Sequence, residues 1–587
     1  MRLFLSALAP GPAGPSKRWP SAGPATPSRI SCYLRSLALG AVLACWFLSA
    51  GLTYAQEAPF RFQEGAAGAG LTFAHVSGGA EKKYILESMS GGVALFDYDG
   101  DGWVDIYLVN GGRWDDVLQQ RRSVRNALFR NRGDGTFEDV TEKAGVPGSL
   151  WDMGAVAADI DNDGDPDLYV TSFGPNKLYR NRGDGTFEDI SKSSGTDEQR
   201  WSSAAAFGDY DGDGRLDLAV VNYVEFDPSN PPERTPLCRY RGIDVQCGPR
   251  GLPGHGDVLY RNLGDGRFQD VTESAGLALE TRYYGLAASW TDYDNDADLD
   301  LLVANDSCPN YLFRNDGQGR FSEVAMQSGV ALNEDGNEQA GMGLALGDPD
   351  GDGWIDFLQT NFSDDKNTLY ANQKGFFLDA SYRWNVAEVA WQYLSWGTFF
   401  FDADLDGYPD LFVANGHVYP EVEEYQIGTS YKQRDFLFHN LDGKRFEEVG
   451  QASGISAVEN SRGAAVGDLD NDGRPDIVVN RLDAAPALYW NRSSLEGRNW
   501  IGLRLQGTAS NRDAVGARLR LYAGGRVQTR EVSAGGSYLS SHDPRLIFGL
   551  GSAGKIEKLE IRWPSGQSQT LSSLNVNTYQ TLTEPTP

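Results

Sequence analysis

Short apolar runs, each ending in a polar turn, recur along most of this chain. The first pair is Gly92-Val93-Ala94-Leu95-Phe96 and Ile106-Tyr107-Leu108-Val109, separated by the acidic stretch Asp97-Tyr98-Asp99-Gly100-Asp101-Gly102-Trp103-Val104-Asp105. A second pair flanks an Asp-Gly turn in Leu128-Phe129-Arg130-Asn131-Arg132-Gly133-Asp134-Gly135-Thr136-Phe137-Glu138-Asp139-Val140. That pattern returns at 178–190, 259–271 and 312–324, and more loosely from Leu369 and Leu437. Asp-Gly between alternating apolar residues is a strong hairpin signal. Each unit therefore predicts four strands: into the acidic loop, out of it, into the Asp-Gly turn and out again.

Units of four strands at this period predict a β-propeller, whose blades bury their faces only against their neighbours. The acidic loops start at Asp97, Asp159, Asp209, Asp292, Asp348, Asp402 and Asp468, so the expected fold is an all-β, seven-bladed propeller. The last unit stops after Leu488-Tyr489-Trp490-Asn491 without its outer strand. Phe62, Glu64, Ala69, Gly70 and Leu71 repeat the spacing of Phe137, Asp139, Ala144, Gly145 and Val146. Residues 60–64 are thus expected beside 487–491, closing the ring and leaving no free edge at the junction. The spacing of 83 residues between the third and fourth loops reflects an insertion, about Glu225 to Asp257. From Asn499 the repeats give way to alternation at Ile501, Leu503 and Leu505, at Leu519 and Leu521, and at Leu559, Ile561 and Trp563. The domains read as a propeller over 56–491 and a small all-β domain over 499–585, joined by the polar stretch Arg492 to Arg498.

The formal charge is −29, from 81 acids against 52 bases. Twenty-eight of the acids stand at positions one, three, five and nine of the seven loops, and the other 53 nearly balance the bases. They are Asp97, Asp99, Asp101 and Asp105; Asp159, Asp161, Asp163 and Asp167; Asp209, Asp211, Asp213 and Asp217; Asp292, Asp294, Asp296 and Asp300; Asp348, Asp350, Asp352 and Asp356; Asp402, Asp404, Asp406 and Asp410; and Asp468, Asp470, Asp472 and Asp476. This spacing suits a hard cation. Calcium takes about six to eight oxygens, alternate residues of a tight turn point at one centre, and a glycine at position six supplies positive φ. The helical calcium loop is about twelve residues long and ends in Glu, so these shorter loops are expected between strands instead. The expected cofactor is structural Ca2+, up to seven ions, which would bring the charge to −15. The loop at Asp292 carries Ala297 where the glycine belongs, and is expected to be the weakest site or to have a distorted turn. No basic stripe points to nucleic acid or an anionic membrane.

Residues 1–55 hold five basic residues and no acid, with an apolar run from Ser36 to Leu52 before Thr53-Tyr54-Ala55. That is the layout of a signal peptide cut after Ala55, leaving no membrane span. An uncleaved anchor and a lipid-modified Cys45 are the alternatives, and a start codon placed too far upstream would explain the long leader. The expected location is secreted, cell-surface or periplasmic, where weak calcium sites of about 10⁻⁴–10⁻³ M would fill. In an exported chain Cys238 and Cys247 are expected to form a disulfide closing the insertion, although a pairing that includes Cys308 stays open.

The repeats resemble the FG-GAP/VCBS family, the calcium-bearing unit of integrin α-chain propellers. The tail resembles the ASPIC/UnbV domain through Asn511-Arg512-Asp513-Ala514-Val515-Gly516-Ala517, Gly535-Gly536-Ser537-Tyr538, Phe548-Gly549-Leu550-Gly551 and Trp563-Pro564-Ser565-Gly566. Together they look like the cartilage acidic protein family and its bacterial members, from about residue 60 to the end. The resemblance implies an exported, calcium-binding, interaction-mediating protein and no reaction.

Other motifs weigh less. Arg132-Gly133-Asp134 and Arg182-Gly183-Asp184 spell an integrin-read tripeptide but fall on the hairpin turn of the repeat. Gly549 to Gly554 matches a dinucleotide fingerprint only as letters, because it precedes a strand. His75, His255, His417, His439 and His542 show no metal spacing, and Gly416-His417-Val418-Tyr419-Pro420 reads as a loop on one propeller face. Asn305, Asn361 and Asn491 begin N-x-S sequons. Two functions remain: a non-catalytic binding, adhesion or scaffold module for an extracellular protein or glycan, and a hydrolase or lyase on polysaccharide or phosphoester. The second needs an axial pocket with two free carboxylates. Nothing in the sequence sets the oligomeric state.

Overall fold

The computed structural model describes residues 58–231 and 238–586; the leader assigned to 1–55 lies outside them. Seven four-stranded antiparallel sheets stand side by side around an axis. Blade 1 comprises Val93–Phe96, Asp105–Leu108, Ala127–Asn131 and Phe137–Asp139, and the next five blades repeat this order. Blade 7 takes its outer strand from the start of the chain: Phe62–Glu64 pairs antiparallel with Ala487–Asn491, Phe62 opposite Asn491 and Glu64 opposite Tyr489. The ring closes where the repeat spacing placed it. The inner strand of each blade is apolar on both faces because both pack against neighbouring blades, which is why the runs read as continuous rather than alternating.

The tail folds into two sheets. One orders Leu546–Gly551, Asn499–Gln506 and Tyr579–Thr583; the other orders Arg526–Glu531, Arg518–Ala523, Lys558–Arg562 and Ser568–Leu571. Its apolar interior is continuous with blades 2 and 3: Val515, Val532 and Ile561 share one core with Val156, Ile160 and Phe207. Glu584 ties the last residues back to the domain. Its Oε2 accepts the backbone N–H groups of Thr508, Ala509 and Ser510 at 2.8–2.9 Å. Burial alone would raise this carboxyl, but the Ser510 N–H, the Ser565 hydroxyl and the other two N–H groups outweigh it and bring it from 4.5 to about 2. Because the folded value is depressed, its contribution is complete above the unfolded value and disappears as pH falls through about 2. Glu584→Gln is expected to cost about 1–2 kcal/mol at neutral pH, and the gap from wild type should vanish in denaturant melts near the folded value.

Between two tail strands, the segment 533–545 enters the propeller axis. Every inner strand has one edge facing that axis, and buried backbone groups must be paired. The segment pairs with six blades. Ser541 donates to Val93 O and accepts from Leu95 N, and Leu539 O accepts from Ala155 N. Ala534 O accepts from Phe207 N, Ser537 exchanges two bonds with Leu344, and Asp543 donates to Val466 O. Ser537 Oγ accepts from Thr398 N at 3.0 Å. So tight a ring path needs left-handed backbone, at Gly535 (φ 118°) and Gly536 (φ 110°). A side chain on Gly535 would also press on Ala205 O and Ala206 at about 3.0 Å.

The far mouth of the axis is covered by the insertion. Cys238 and Cys247 form a disulfide and Cys308 is a free thiol. The hairpin Cys238–Tyr240 and Ile243–Val245 crosses from blade 3, where Ile243 and Val245 join a core with Trp201 and Trp396, and Tyr240 Oη bonds Ser363 Oγ of blade 5 at 2.8 Å.

Candidate metal centres and their comparison with known proteins

All seven acidic loops join an inner strand to the next strand of the same blade, on one face of the ring. Position one turns back into its own loop. Asp97 Oδ1 accepts from Asp101 N at 3.1 Å and Oδ2 from Gly102 N at 2.9 Å, and the bond to the position-six N–H recurs in every loop. Position five accepts the N–H of position seven, as Asp101 does from Trp103 at 3.0 Å. Position nine is buried and faces the third strand, where its Oδ1 accepts a backbone N–H at 2.6–2.8 Å in all seven blades. Carboxylate oxygens of Asp159, Asp161 and Asp167 lie within 4.8 Å of one another, as do those of Asp209, Asp211 and Asp217 and of Asp292, Asp294 and Asp300. In the first loop the group is Asp97, Asp99 and Asp101.

These carboxyls are held away from water and close to like charge. Burial first, then a neighbouring carboxylate, raises Asp159 and Asp209 to about 7 and Asp402 to about 8; burial raises Asp300 and Asp356 to about 9. Several buried oxygens have no partner at all: Oδ1 of Asp99, Asp161, Asp292, Asp294, Asp348 and Asp470, and Oδ2 of Asp300 and Asp356. Orphaned buried acceptors are costly. A divalent cation among them would satisfy the lone pairs and relieve the repulsion, so the donor set fits an oxygen-seeking ion.

The sequence reading missed three parts of these sites. The first is an asparagine that ends the third strand of six blades and lies two residues before its end in blade 3: Asn131, Asn181, Asn262, Asn315, Asn372, Asn440 and Asn491. Its backbone N–H serves position nine, and its Nδ2 donates to position eight of its own loop and position two of the preceding blade's loop. The cross-blade bond is 2.7–2.9 Å in all seven blades. The signal was its presence in every repeat. Asn372→Ala would orphan the carbonyls of Tyr293 and Ile355, and is expected to cost about 2–4 kcal/mol in a urea melt.

The second is position four, which also has positive φ: Gly100, Asn162, Gly212, Asn295, Gly351, Leu405 and Asn471 lie at φ 54–72°. The third is the set of arginines around the acids. Arg130 pairs with Asp99 and Asp101, Arg261 with Asp211 and Asp213, and Arg314 with Asp294 and Asp296. In blade 6 the corresponding residue is His439, whose ring nitrogen lies within 4.8 Å of Asp404 and Asp406 oxygens.

At Asp292 the expected distortion is absent from the backbone but shows in the hydrogen bonds. Asp296 N and Tyr293 N do not make the bonds to positions one and nine that the loops at Asp97, Asp159, Asp209, Asp402 and Asp468 make. Ala297 adopts φ 87° and donates to Asp292 Oδ2 at 3.2 Å, so the turn keeps the shape of its glycine counterparts. Surrounding bonds impose the conformation on a residue that resists it. Ala297→Gly is therefore expected to stabilise the protein by about 1 kcal/mol, read as a higher melting temperature.

The tail lies against one end of several loops, while Asp101, Asp296 and Asp352 stay exposed. Arg545 Nη2 donates to Asp468 O at 2.7 Å and Tyr579 Oη to Asp468 Oδ2 at 2.5 Å. Arg498 pairs with Asp404, Arg562 and Arg518 pair with Asp292, and Asp159 N donates to Asp513 Oδ2. The tail thus sets arginines against the most acidic surface of the chain.

The remaining motifs have structural places. The Arg132 and Arg182 tripeptides form hairpin turns, with Asp134 and Asp184 accepting from Thr136 and Thr186 two residues on. His417 is buried; its Nδ1 accepts from Tyr419 N, its Nε2 contacts Ser363, and burial lowers it to about 3. Asn305, Asn361 and Asn491 are fully buried and hydrogen-bonded, so the folded chain presents no acceptor at these sequons.

Fold and loops together define a seven-bladed propeller of acidic-loop repeats closed by a strand-rich tail. Within it, residues 97–170, 161–220, 292–359 and 426–479 match the FG-GAP-like repeat, and 507–587 match ASPIC and UnbV. The chain belongs to the FG-GAP-like repeat proteins that end in an ASPIC and UnbV domain, and is homologous to cartilage acidic protein 1. It is 24% identical to the Mus musculus protein over 327 residues, covering 54% of this chain and 47% of that one. The Xenopus tropicalis protein is 27% identical over 314 residues, covering 52% and 45%. The chain thus spans about half the length of the curated relatives it matches. Among solved structures, YCF48 bound to D1 peptide aligns at TM-score 0.38 and 9% identity, covering 75% of this chain and 99% of that one. A lectin of Agrocybe aegerita that recognises terminal N-acetylglucosamine aligns at TM-score 0.35 and 14% identity, covering 68% and 86%. Likenesses this weak carry no functional weight. Among the described residues no helix is long and apolar enough to cross a membrane.

Proposed function

We propose that this protein is an exported, calcium-binding propeller that acts as a non-catalytic binding, adhesion or scaffold module for an extracellular protein or glycan. The unpartnered buried carboxylate oxygens of Asp99, Asp161, Asp292, Asp294, Asp300, Asp348, Asp356 and Asp470 carry the reading. Calcium bound there is structural: it neutralises carboxylates and pins each strand-to-strand turn. On the side of the acidic loops the tail segment fills the axis, which supports a role without catalysis there, since it takes the place where a propeller hydrolase would hold substrate between two free acids. The acids themselves lie between tail arginines and blade arginines. Metal analysis of protein purified without chelator tests the proposal. Several equivalents of calcium per chain are expected, and well under one equivalent overturns it.

A further inference from the structure

On the face opposite the acidic loops, beneath the disulfide-closed insertion, the axis opens into a cavity of about 330 Å³. Its size and lining are those of a small-molecule site: apolar and aromatic walls with a few placed polar groups. Tyr223, Phe362, Trp396 and Tyr419 supply the aromatic walls, contributed by blades 3, 5 and 6. Among the described residues, the acids on its surface are Asp306, Glu338 and Asp365, and the only cation is Arg250. Arg250 is already committed, to Glu338 and to the carbonyl of Ser307 at 3.1 Å each.

Asp306 is the central group. It is 8% exposed and has no cationic partner among the described residues; Tyr223 Oη donates to its Oδ2 at 2.6 Å and Ser307 Oγ to its Oδ1 at 2.9 Å. Gln246, in the roof, is 4% exposed and its amide oxygen has no partner. A buried carboxylate without a counter-ion is expensive to keep. Arg462 stacks behind Trp396, 4.2 Å from the ring centroid, but its N–H groups are spent on Ser88, Gly416 and Ser461 carbonyls. Counting it with Arg250, the described residues of the site still carry one more acid than base.

We propose that this cavity binds a small organic cation, a quaternary or protonated amine, with Asp306 as its counter-ion and the aromatic walls around its alkyl groups. The walls favour such a ligand through cation–π attraction, worth most when the cation is desolvated. An anion would face three carboxylates, and a neutral ligand would leave Asp306 uncompensated. The site is separate from the acidic loops, so it stands or falls independently of calcium binding.

The test is calorimetric titration of calcium-saturated full chain, which keeps the acidic loops closed to amines. The probes are choline, benzyltrimethylammonium and 3,3-dimethylbutan-1-ol, the neutral isostere of choline. Saturable binding of at least one cation is expected, at least tenfold tighter than the alcohol. Asp306→Asn, which retains the acceptor for Tyr223, should weaken it at least tenfold while leaving the calcium-dependent melt unchanged. Ala340→Phe, which fills the cavity from a lining position, should abolish it. Absence of binding by both cations, equal binding of the alcohol, or an Asp306→Asn variant that binds as wild type overturns the proposal.

Discussion

Chelation is expected to lower the melting temperature of this protein by at least 10 °C, and added calcium to restore it. An ion that binds only the folded state stabilises by RT ln(1 + [L]/Kd), about 1.4 kcal/mol per site at ten times Kd. Seven such sites would contribute about 10 kcal/mol, comparable with the whole stability of an ordinary domain. Removal also leaves buried carboxyls without a counter-ion. Asp402 and Asp404 are raised to about 8 and about 6, by burial first and by Asp406 next, so the ion-free loop takes up protons near neutral pH that a bound cation must displace. Because Arg545, Arg562 and Arg498 hold the tail against these loops, the tail should loosen in the same transition. Differential scanning calorimetry with and without EDTA, combined with limited proteolysis across 499–586, reads both effects. An unchanged melt in EDTA contradicts a structural role for the metal.

The second large effect is expected at Tyr538. This residue of the axial segment is fully buried, and its ring meets Trp396 edge-on at 4.7 Å between centroids. Replacing it with alanine opens a cavity on the axis where the surrounding strands cannot collapse inward, at a cost of about 3–5 kcal/mol. Its hydroxyl has no hydrogen-bond partner, so Tyr538→Phe should be neutral or slightly stabilising. Denaturant melts of the two variants separate ring packing from hydroxyl chemistry. Equal destabilisation by both would show that the axial contact is polar rather than apolar.

The arrangement explains why the tail is built as it is. A propeller leaves seven inner edges facing its axis, and here one segment near residue 540 pairs with six of them. The tail sheets flanking that segment then lie on the acidic face, where their arginines offset the negative charge of the loops. Docking and axial closure thus involve the one surface that carries the acidic loops.

Much of this was legible in the chain itself. Strand-length apolar runs, the Asp-Gly turns and seven copies of the acidic loop define blade number and strand order, because those signals are local in sequence. The return of Phe62 and Glu64 to blade 7 was also legible, since the repeat had one outer strand missing and one spare. The acids at positions one, three, five and nine could be named for the same reason.

What the tertiary structure alone decided are contacts between residues far apart. Asn131 was visible as a repeated letter, but its partner Leu469 O lies 338 positions away and is set only by ring closure. Gly535-Gly536-Ser537-Tyr538 read as a tail motif, yet its role follows from the empty axis of another domain. The φ of 87° at Ala297 could not be read from local propensity, because the bonds that impose it come from the assembled loop and blade. Asp306 gave no sign in the chain, because its buried position and aromatic surroundings arise from blades that meet only when the ring closes. Periodicity specifies what repeats along a chain; burial, charge compensation and pairing across the axis belong to the closed molecule.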